Sequence, residues 1–173
     1  MNPELVNLLT TVRDWLRFAE AKNAALVAFS GIMLPFVFSL SDLGEFGKLY
    51  SISAVFFLFL SVLFSLVSFF PHIDPTRHIA RFLDRERAAT NLLFFGDIAR
   101  IPLDQFSAFA LETFSVNPKS KIDIYAISQI HIISRLTMRK LQFFNIALIS
   151  LLIGLLTPAV ILVLLIFWKN KDI

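Results

Sequence analysis

The chain has 173 residues, of which 57% are hydrophobic and 17% are charged, and its mean hydropathy is +0.73. Soluble domains have about 45–50% apolar and about 25% charged residues, so this composition excludes an ordinary soluble protein. A net charge of +3 is too small to indicate a nucleic-acid-binding protein, and the absence of cysteine excludes disulfides, thiolate metal sites and thiol catalysis.

The N-terminal segment, residues 1–22, is predicted to be a cytoplasmic amphipathic helix. Asn2 and Pro3 suit the cap and the first turn of a helix, and apolar residues then recur at helical spacing as far as Ala19. Charged residues are scattered through the segment, which is not the pattern of a secretory signal peptide. The first apolar block, residues 23–40, follows without a break and is predicted to be the first transmembrane helix.

A short polar link, residues 41–48, separates the first and second membrane spans. It contains two glycines and is predicted to turn between antiparallel helices. Residues 49–70 then include no charged side chain. These 22 residues rise by about 1.5 Å each, which is enough to cross a hydrocarbon core of about 30 Å. Pro71 ends this second predicted transmembrane helix.

Residues 71–140 are predicted to form a cytoplasmic helical region. The run Asn91–Asp97, Asn-Leu-Leu-Phe-Phe-Gly-Asp, interrupts the helical pattern and is expected to fold against an apolar surface. Pro102 begins a further short helix. One side of that helix carries Leu103, Phe106, Phe109 and Ala110.

The last helix is predicted to start at Ser120 and Asp123, which have the spacing of a capping box. It runs without a strong stop signal into residues 141–168, the third predicted transmembrane helix. That block has 28 residues without a charge, more than a membrane core requires. The alternative is a re-entrant hairpin that turns at Pro158.

The distribution of basic residues predicts the orientation of the spans. Region 72–140 contains ten Lys and Arg and the N-terminal segment three, against one in the link and two in the tail, residues 169–173. The N-terminus and the helical region are therefore expected in the cytoplasm. The predicted fold class is an all-α membrane protein with three transmembrane helices, a helical cytoplasmic insert and a long helix running into the third span.

The sequence has no recognisable catalytic motif. It lacks a glycine-rich phosphate loop, His-Glu-x-x-His and Gly-x-Ser-x-Gly. The three histidines are not spaced to share a helical face, so no metal or other cofactor is predicted. The sequence therefore favours a protein that is not an enzyme.

Glu20 and Lys22 lie at the entry to the first span. Charged side chains at that depth commonly extend to the interface and only anchor the helix. The alternative is a gating role, in which the pair locks the span to the cytoplasmic region and shifts on activation.

Three serines of the second span, Ser61, Ser65 and Ser68, share one helical face. Small residues allow close packing of membrane helices. The alternative is a polar face that lines a water-filled path, which requires a homo-oligomer because three spans do not enclose a pore.

Three arginines, Arg77, Arg81 and Arg85, follow the second span at intervals of four residues. They are expected to face anionic lipid or to bind an anionic ligand such as a nucleotide or oligonucleotide. The other wall of such a ligand site would consist of Arg135, Arg139 and Lys140.

The order of these features resembles the Pycsar transmembrane effector domain and related small anti-phage membrane effectors, including Hailong-like effectors. The likeness is carried by Glu20-x-Lys22, by Pro71 after the second span, and by Asn91–Asp97. It is also carried by Asp123-x-Tyr125-x3-Gln129, continued through Ser134 to Lys140, before the third span. The candidate gating or structural residues are Glu20, Lys22, Asn91, Gly96, Asp97 and Gln129.

The resemblance implies a multi-pass protein of the bacterial inner membrane that is controlled by the product of a nucleotidyltransferase or cyclase. It would oligomerise, form a channel or disrupt the membrane, and arrest or kill the infected cell. The ligand would bind region 72–140 directly or act through a partner protein, and by analogy with Hailong-like effectors it could hold the protein shut. The alternative is a non-conducting membrane adaptor that tethers a cytoplasmic partner through residues 72–140.

Overall fold

The computed structural model describes residues 1–70, 91–116 and 120–169, with side chains as far as residue 156. Within these ranges the protein consists of helices and turns and has no β-strand. Three of the helices are long and apolar enough to cross a membrane. The predicted fold class, an all-α membrane protein with three transmembrane helices, is confirmed.

Helix α1 comprises Pro3–Ser39 and therefore contains both the amphipathic segment and the first span. Its first turn is capped as predicted, because Asn2 Oδ1 accepts a hydrogen bond of 2.8 Å from the backbone N–H of Glu4. That N–H is one of the donors that a helix start leaves without an internal partner. Pro35 lies inside the helix, as membrane helices tolerate.

A turn of 3-10 helix, Leu40–Leu43, and Gly44 connect α1 to helix α2, which comprises Glu45–Val67. Gly44 has a φ of +92°, a conformation that side chains other than hydrogen rarely allow. The polar end of the 41–48 link forms the first turn of α2. The link is therefore shorter than the sequence suggested.

Three further helices complete the described part: α3 at Phe95–Ile98, α4 at Leu103–Thr113 and α5 at Lys121–Lys169. Helix α5 continues for 49 residues and passes through Pro158. The alternative of a re-entrant hairpin is wrong, because the backbone stays helical where that hairpin would turn. A turn inside the hydrocarbon would have left backbone groups without partners, whereas a proline in a helix removes a single donor.

The chain divides into two compact units. The first unit contains Met1–Ala21 and Phe70–Gln142, and the second contains Lys22–Phe69 and Phe143–Ile173. In the first unit, one hydrophobic core joins the N-terminal parts of α1 and α5 with α3 and α4. Its large and fully buried members are Leu5, Val12, Ile98, Phe106, Ile127 and Ile130.

The second unit consists of the apolar parts of the three long helices. Its core is formed by Leu26 and Val37 of α1, Ala54 and Leu58 of α2, and Ala147 and Leu151 of α5. On the outer side of α2, large aromatic side chains such as Phe56 and Phe59 are exposed. This inside-out distribution is expected of helices surrounded by lipid, which is as apolar as the protein interior.

The buried side of α4 is narrow. Phe106 and Ala110 are fully buried, whereas Leu103 and Phe109 are 39% and 45% exposed. The helix therefore touches the core through a pair of residues at i and i+4.

Candidate sensing and gating sites

Glu20 and Lys140 form an ion pair within the first unit. Lys140 Nζ lies 3.1 Å from Glu20 Oε1, and the side chains are 12% exposed for Lys140 and 43% exposed for Glu20. The sequence placed Glu20 among the gating residues and Lys140 among the ligand-binding residues. The structure brings the two groups together, because they belong to helices α1 and α5, which share the core of this unit. An anionic ligand at Lys140 would therefore meet the Glu20 carboxylate.

Lys22 has a different environment from Glu20, although only Ala21 separates them. In the second unit its ammonium group lies 5.1 Å from the centroid of the Phe144 ring. A cation over an aromatic face is stabilised by the negative charge of the ring's face. Glu20 and Lys22 thus engage partners in two different units.

The predicted arginine site is described only in part. Arg135 is exposed, and Arg139 donates a long hydrogen bond of 3.4 Å from Nη2 to the Phe70 carbonyl oxygen. The two arginines lie at i and i+4 on α5 and so share a helical face. Arg77, Arg81 and Arg85 lie outside the described residues, so the ligand site stays a prediction.

The run Asn91–Asp97 folds into a closed turn that ends in α3. The Asp97 carboxylate is buried and accepts a hydrogen bond of 3.1 Å from the backbone N–H of Asn91. Asn91 Oδ1 accepts another, of 2.9 Å, from the N–H of Leu93. The ends of the run are therefore tied together by side-chain acceptors.

Gly96 has no room for a larger residue unless the ring of Phe94, which covers it, moves aside. A Cβ at this position would lie 2.5 Å from Phe94 Cε1, far inside contact distance. The next ring, Phe95, packs at a tilt of 38° against Trp15 of α1, with 5.2 Å between centroids. The turn thus folds against an apolar surface, as predicted. Gln129, which the sequence grouped with these residues, is exposed on α5.

The sequence did not reveal that the N-terminus is bonded to the start of α5. Ser120 Oγ accepts a bond of 3.4 Å from the N–H of Asp123, which is one half of the predicted capping box. The Asp123 carboxylate instead accepts a bond of 2.9 Å from the N–H of Asn2. Asn2 Nδ2 also donates to the carbonyl of Phe114 at 2.8 Å.

Asp123 lies before the apolar part of α5, and its pKa is shifted. The hydrogen bond with the Ser120 side chain and then the one from the Asn2 backbone lower the pKa of this carboxyl below its ordinary value.

His131 is a second polar residue whose place the sequence did not indicate. It is buried in the first unit, where Nε2 lies 2.8 Å from the carbonyl oxygen of Ile101. Its ring stacks on Phe106 with centroids 6.0 Å apart. The carbonyl needs a donor, so this contact assigns the proton to Nε2.

The three serines of α2 face the inside of the second unit. Ser61 and Ser65 are fully buried and Ser68 is 5% exposed. Their hydroxyl groups have no hydrogen-bond partner within the described ranges. Ser30 of α1 is buried in the same way. In the following we call Ser61, Ser65 and Ser68 the serine seam.

Two other features hold α2 against its neighbours. Ser51 Oγ donates a buried hydrogen bond of 2.8 Å to the carbonyl of Val37 on α1. On the α5 side, a Cβ added to Gly154 would lie 2.8 Å from Phe57 Cβ and 3.4 Å from the carbonyl oxygen of Ala54. Small residues in this unit permit the close approach typical of membrane helices.

A family model described as the Pycsar effector protein domain matches residues 4–168. The chain belongs to the Pycsar effector family. The Pycsar effector protein RsPycTM of a Rhizobium species is 30% identical to it over 146 residues, which is 79% of this chain and 79% of that protein. No solved structure matches the chain.

The family match covers both units and all three long helices, so the resemblance inferred from the order of the motifs is confirmed. This Pycsar effector is a transmembrane effector of anti-phage defence. The Pycsar transmembrane effectors are not a class of enzymes. In the part of the chain that the structure describes, no three carboxylate or imidazole side chains are grouped as metal ligands.

Proposed function

We propose that this Pycsar effector is a ligand-controlled, oligomeric channel of the bacterial inner membrane whose opening arrests or kills the infected cell. Its N-terminus and its first unit lie in the cytoplasm, an orientation that the distribution of basic residues supports. The controlling ligand is the product of a partner nucleotidyltransferase or cyclase. Membership of the family supports the defensive role.

The observation that carries the proposal is the burial of Ser61 and Ser65 without hydrogen-bond partners in the described part of the chain. An unpaired buried hydroxyl costs about 1–3 kcal/mol. Helical serines commonly avoid this cost by donating to the carbonyl four residues earlier, as Ser150 does to Ile146 at 3.0 Å. Burial of the serine seam therefore raises the free energy of the described arrangement. Exposure of these hydroxyl groups to water between copies of the chain would recover this free energy. In this proposal the described arrangement is the closed state.

The Glu20–Lys140 ion pair supports control by an anionic ligand. A phosphate group and the Glu20 carboxylate are both anionic acceptors for the Lys140 ammonium and compete for it. The neighbouring Arg135 and Arg139, on one face of α5, supply further positive charge to such a ligand. Glu20→Gln should therefore shift conductance in the same direction as the ligand does.

The experiment is a conductance measurement on purified protein in a planar bilayer, with and without cyclic nucleotides and short oligonucleotides. Ser61→Ala and Ser65→Ala remove the unpaired hydroxyls and favour the closed state by about 1–3 kcal/mol each, which lowers the ratio of open to closed channels about 5–150-fold. The matched control is Ser53→Ala, because that hydroxyl already donates to the Tyr50 carbonyl at 2.9 Å.

The outcomes separate the channel from its alternatives. If Ser61→Ala and Ser65→Ala both conduct as the control does, the serine seam serves only for helix packing. The burial of its unpaired hydroxyl groups then no longer supports a channel. If the bilayer stays silent with every ligand while the full chain captures a cytoplasmic protein, the protein is a non-conducting adaptor and the channel proposal is wrong.

A further inference from the structure

The first unit has an apolar surface that nothing in the described part of the chain covers. It lies on α5, on a side away from the core. Ile122 is 63% exposed, Tyr125 is 70% exposed and Ile132 is 54% exposed, and the exposed Gln129 lies between them. We call these four residues the α5 stripe. A helix with one face already in a core ordinarily presents polar residues to solvent.

The spacing of the α5 stripe is that of a helix that pairs with another helix. Its members follow at intervals of three, four and three residues, which are alternating a and d positions of a heptad repeat. Ile124, also exposed, falls outside this spacing. One polar residue at an a position, here Gln129, is a recurring device that fixes the register of paired helices.

A second copy of the same chain is the occupant that fits this stripe. Since α5 continues from the stripe into a membrane span, copies inserted with one topology present their stripes in parallel. In such a pair each a residue faces its own equivalent. The Gln129 side chain carries both a donor and an acceptor, so two copies of it satisfy each other.

The size of the stripe fits association between chains that the membrane already confines. The three large side chains form a smaller surface than the about 800 Å² per partner of a stable soluble complex. Confinement raises the effective concentration and makes such a small surface sufficient. A lipid surface is a poorer occupant, because about 14 Å of helix separates Ile132 from the apolar block that starts at residue 141.

We infer that the α5 stripe is a self-association surface, through which copies of this effector pair by parallel α5 helices outside the membrane. The inference deepens the proposed function and rests on its oligomeric channel. Pairing by the stripe brings the membrane units of several copies together, which a pore between copies requires.

The absence of native cysteine allows a direct test by disulfide cross-linking. Full-length Tyr125→Cys and Gln129→Cys, each in liposomes of phosphatidylethanolamine and phosphatidylglycerol, are oxidised and the covalent dimer is followed over time. The matched control is Ile124→Cys, which replaces a side chain that is 41% exposed on the same helix but outside the stripe. A disulfide needs Cα atoms within about 7 Å, so stripe cysteines should cross-link about tenfold faster than the control.

Equal rates at the three positions, or no dimer at any of them, would overturn the pairing. Protection of the stripe cysteines by lipid, seen as slow reaction with a water-soluble maleimide, would overturn it in favour of a membrane contact. In the Tyr125→Cys background, Ile132→Glu should slow cross-linking about tenfold, because it buries a charge between the helices. Ile124→Glu should leave the rate unchanged, and an equal effect of both substitutions would also contradict the inference.

A parallel conductance measurement keeps this inference separate from the proposed function. If protein cross-linked through the α5 stripe never conducts, the channel proposal is wrong and the pairing of α5 helices stands. If the protein conducts but the stripe cysteines do not cross-link faster than the control, the channel proposal stands and the pairing through α5 is wrong.

Discussion

Replacing Glu20 by Gln should destabilise the first unit, because it leaves the charge of Lys140 with a neutral partner. Exposed ion pairs contribute about 0.2–1 kcal/mol, whereas breaking a buried pair costs about 3–5 kcal/mol. In this pair the side chain of Lys140 is 12% exposed and that of Glu20 is 43% exposed. We therefore expect a coupling free energy between the two charges of about 1–2 kcal/mol, discounted from the buried limit because the carboxylate still meets water.

The assay is a double-mutant cycle with Glu20→Gln and Lys140→Met, since Met keeps an unbranched apolar stem. Unfolding of the detergent-solubilised protein by denaturant is followed through the fluorescence of Trp15, which packs against Phe95 in the first unit. The chain has two tryptophans, so Trp168→Phe makes Trp15 the sole reporter. The cycle isolates the pairwise free energy from other effects of each substitution.

A matched control is the pair of Asp14 and Arg17 on α1. Its charged atoms lie 3.5 Å apart, but its side chains are 64% and 80% exposed. Its coupling should be below about 0.5 kcal/mol and should fall further in salt. A coupling between Glu20 and Lys140 no larger than in this control would refute the view that partial burial makes the ion pair a lock.

Three further changes test the turn that ends in α3 and the start of α5. Asp97→Ala leaves the backbone N–H of Asn91 unpaired and should lower the free energy of unfolding by about 1–3 kcal/mol in the same assay; an unchanged value would contradict the role of that carboxylate. Gly96→Ala places a Cβ 2.5 Å from a phenyl ring and should cost about 1–3 kcal/mol. Gly31→Ala, with open space around it, should be neutral or slightly stabilising, and equal effects of the two glycine substitutions would refute the steric argument. Folding lowers the pKa of Asp123 from its ordinary value of 3.8. The ionised carboxylate therefore stabilises the folded protein above pH 3.8, and this stabilisation is lost as the pH falls through the lowered pKa of the folded state. In Asp123→Asn the free energy of unfolding should therefore fall less steeply as the pH is lowered below 3.8. A variant as sensitive to acid as the parent protein would count against the hydrogen bonds of Asp123 with Ser120 and Asn2.

The sequence predicted those parts of the fold that depend on local periodicity and local backbone chemistry. The three long helices follow from apolar blocks and from the caps at their ends, and the turn at Asn91–Asp97 follows from residues that prefer turns. The continuity of α5 through Pro158 was one of two open alternatives. It was decided by the cost of unpaired backbone groups, which no local pattern expresses.

The pairing of distant residues could not be predicted in this way. Glu20 meets Lys140, and Asn2 meets Asp123, only because the two long helices share the core of one unit. A single sequence shows which residues are charged but not which of them face each other. The serine seam illustrates the same limit, since helical spacing gives a common face and tertiary packing decides what that face contacts.

The contact of Gly154 with α2 restricts how these two helices can move. A hydrogen atom is all that fits there, since a Cβ would come within 2.8 Å of Phe57 Cβ. Sliding α5 by one turn, about 5.4 Å, would bring the side chain of Ser150 or Leu151, which lie on the same face as Gly154, towards this narrow point. Rotation about the contact leaves the glycine in place. If the proposed channel opens by movement of α5 against α2, the movement should therefore be a pivot at Gly154 and not a slide along the helix axes.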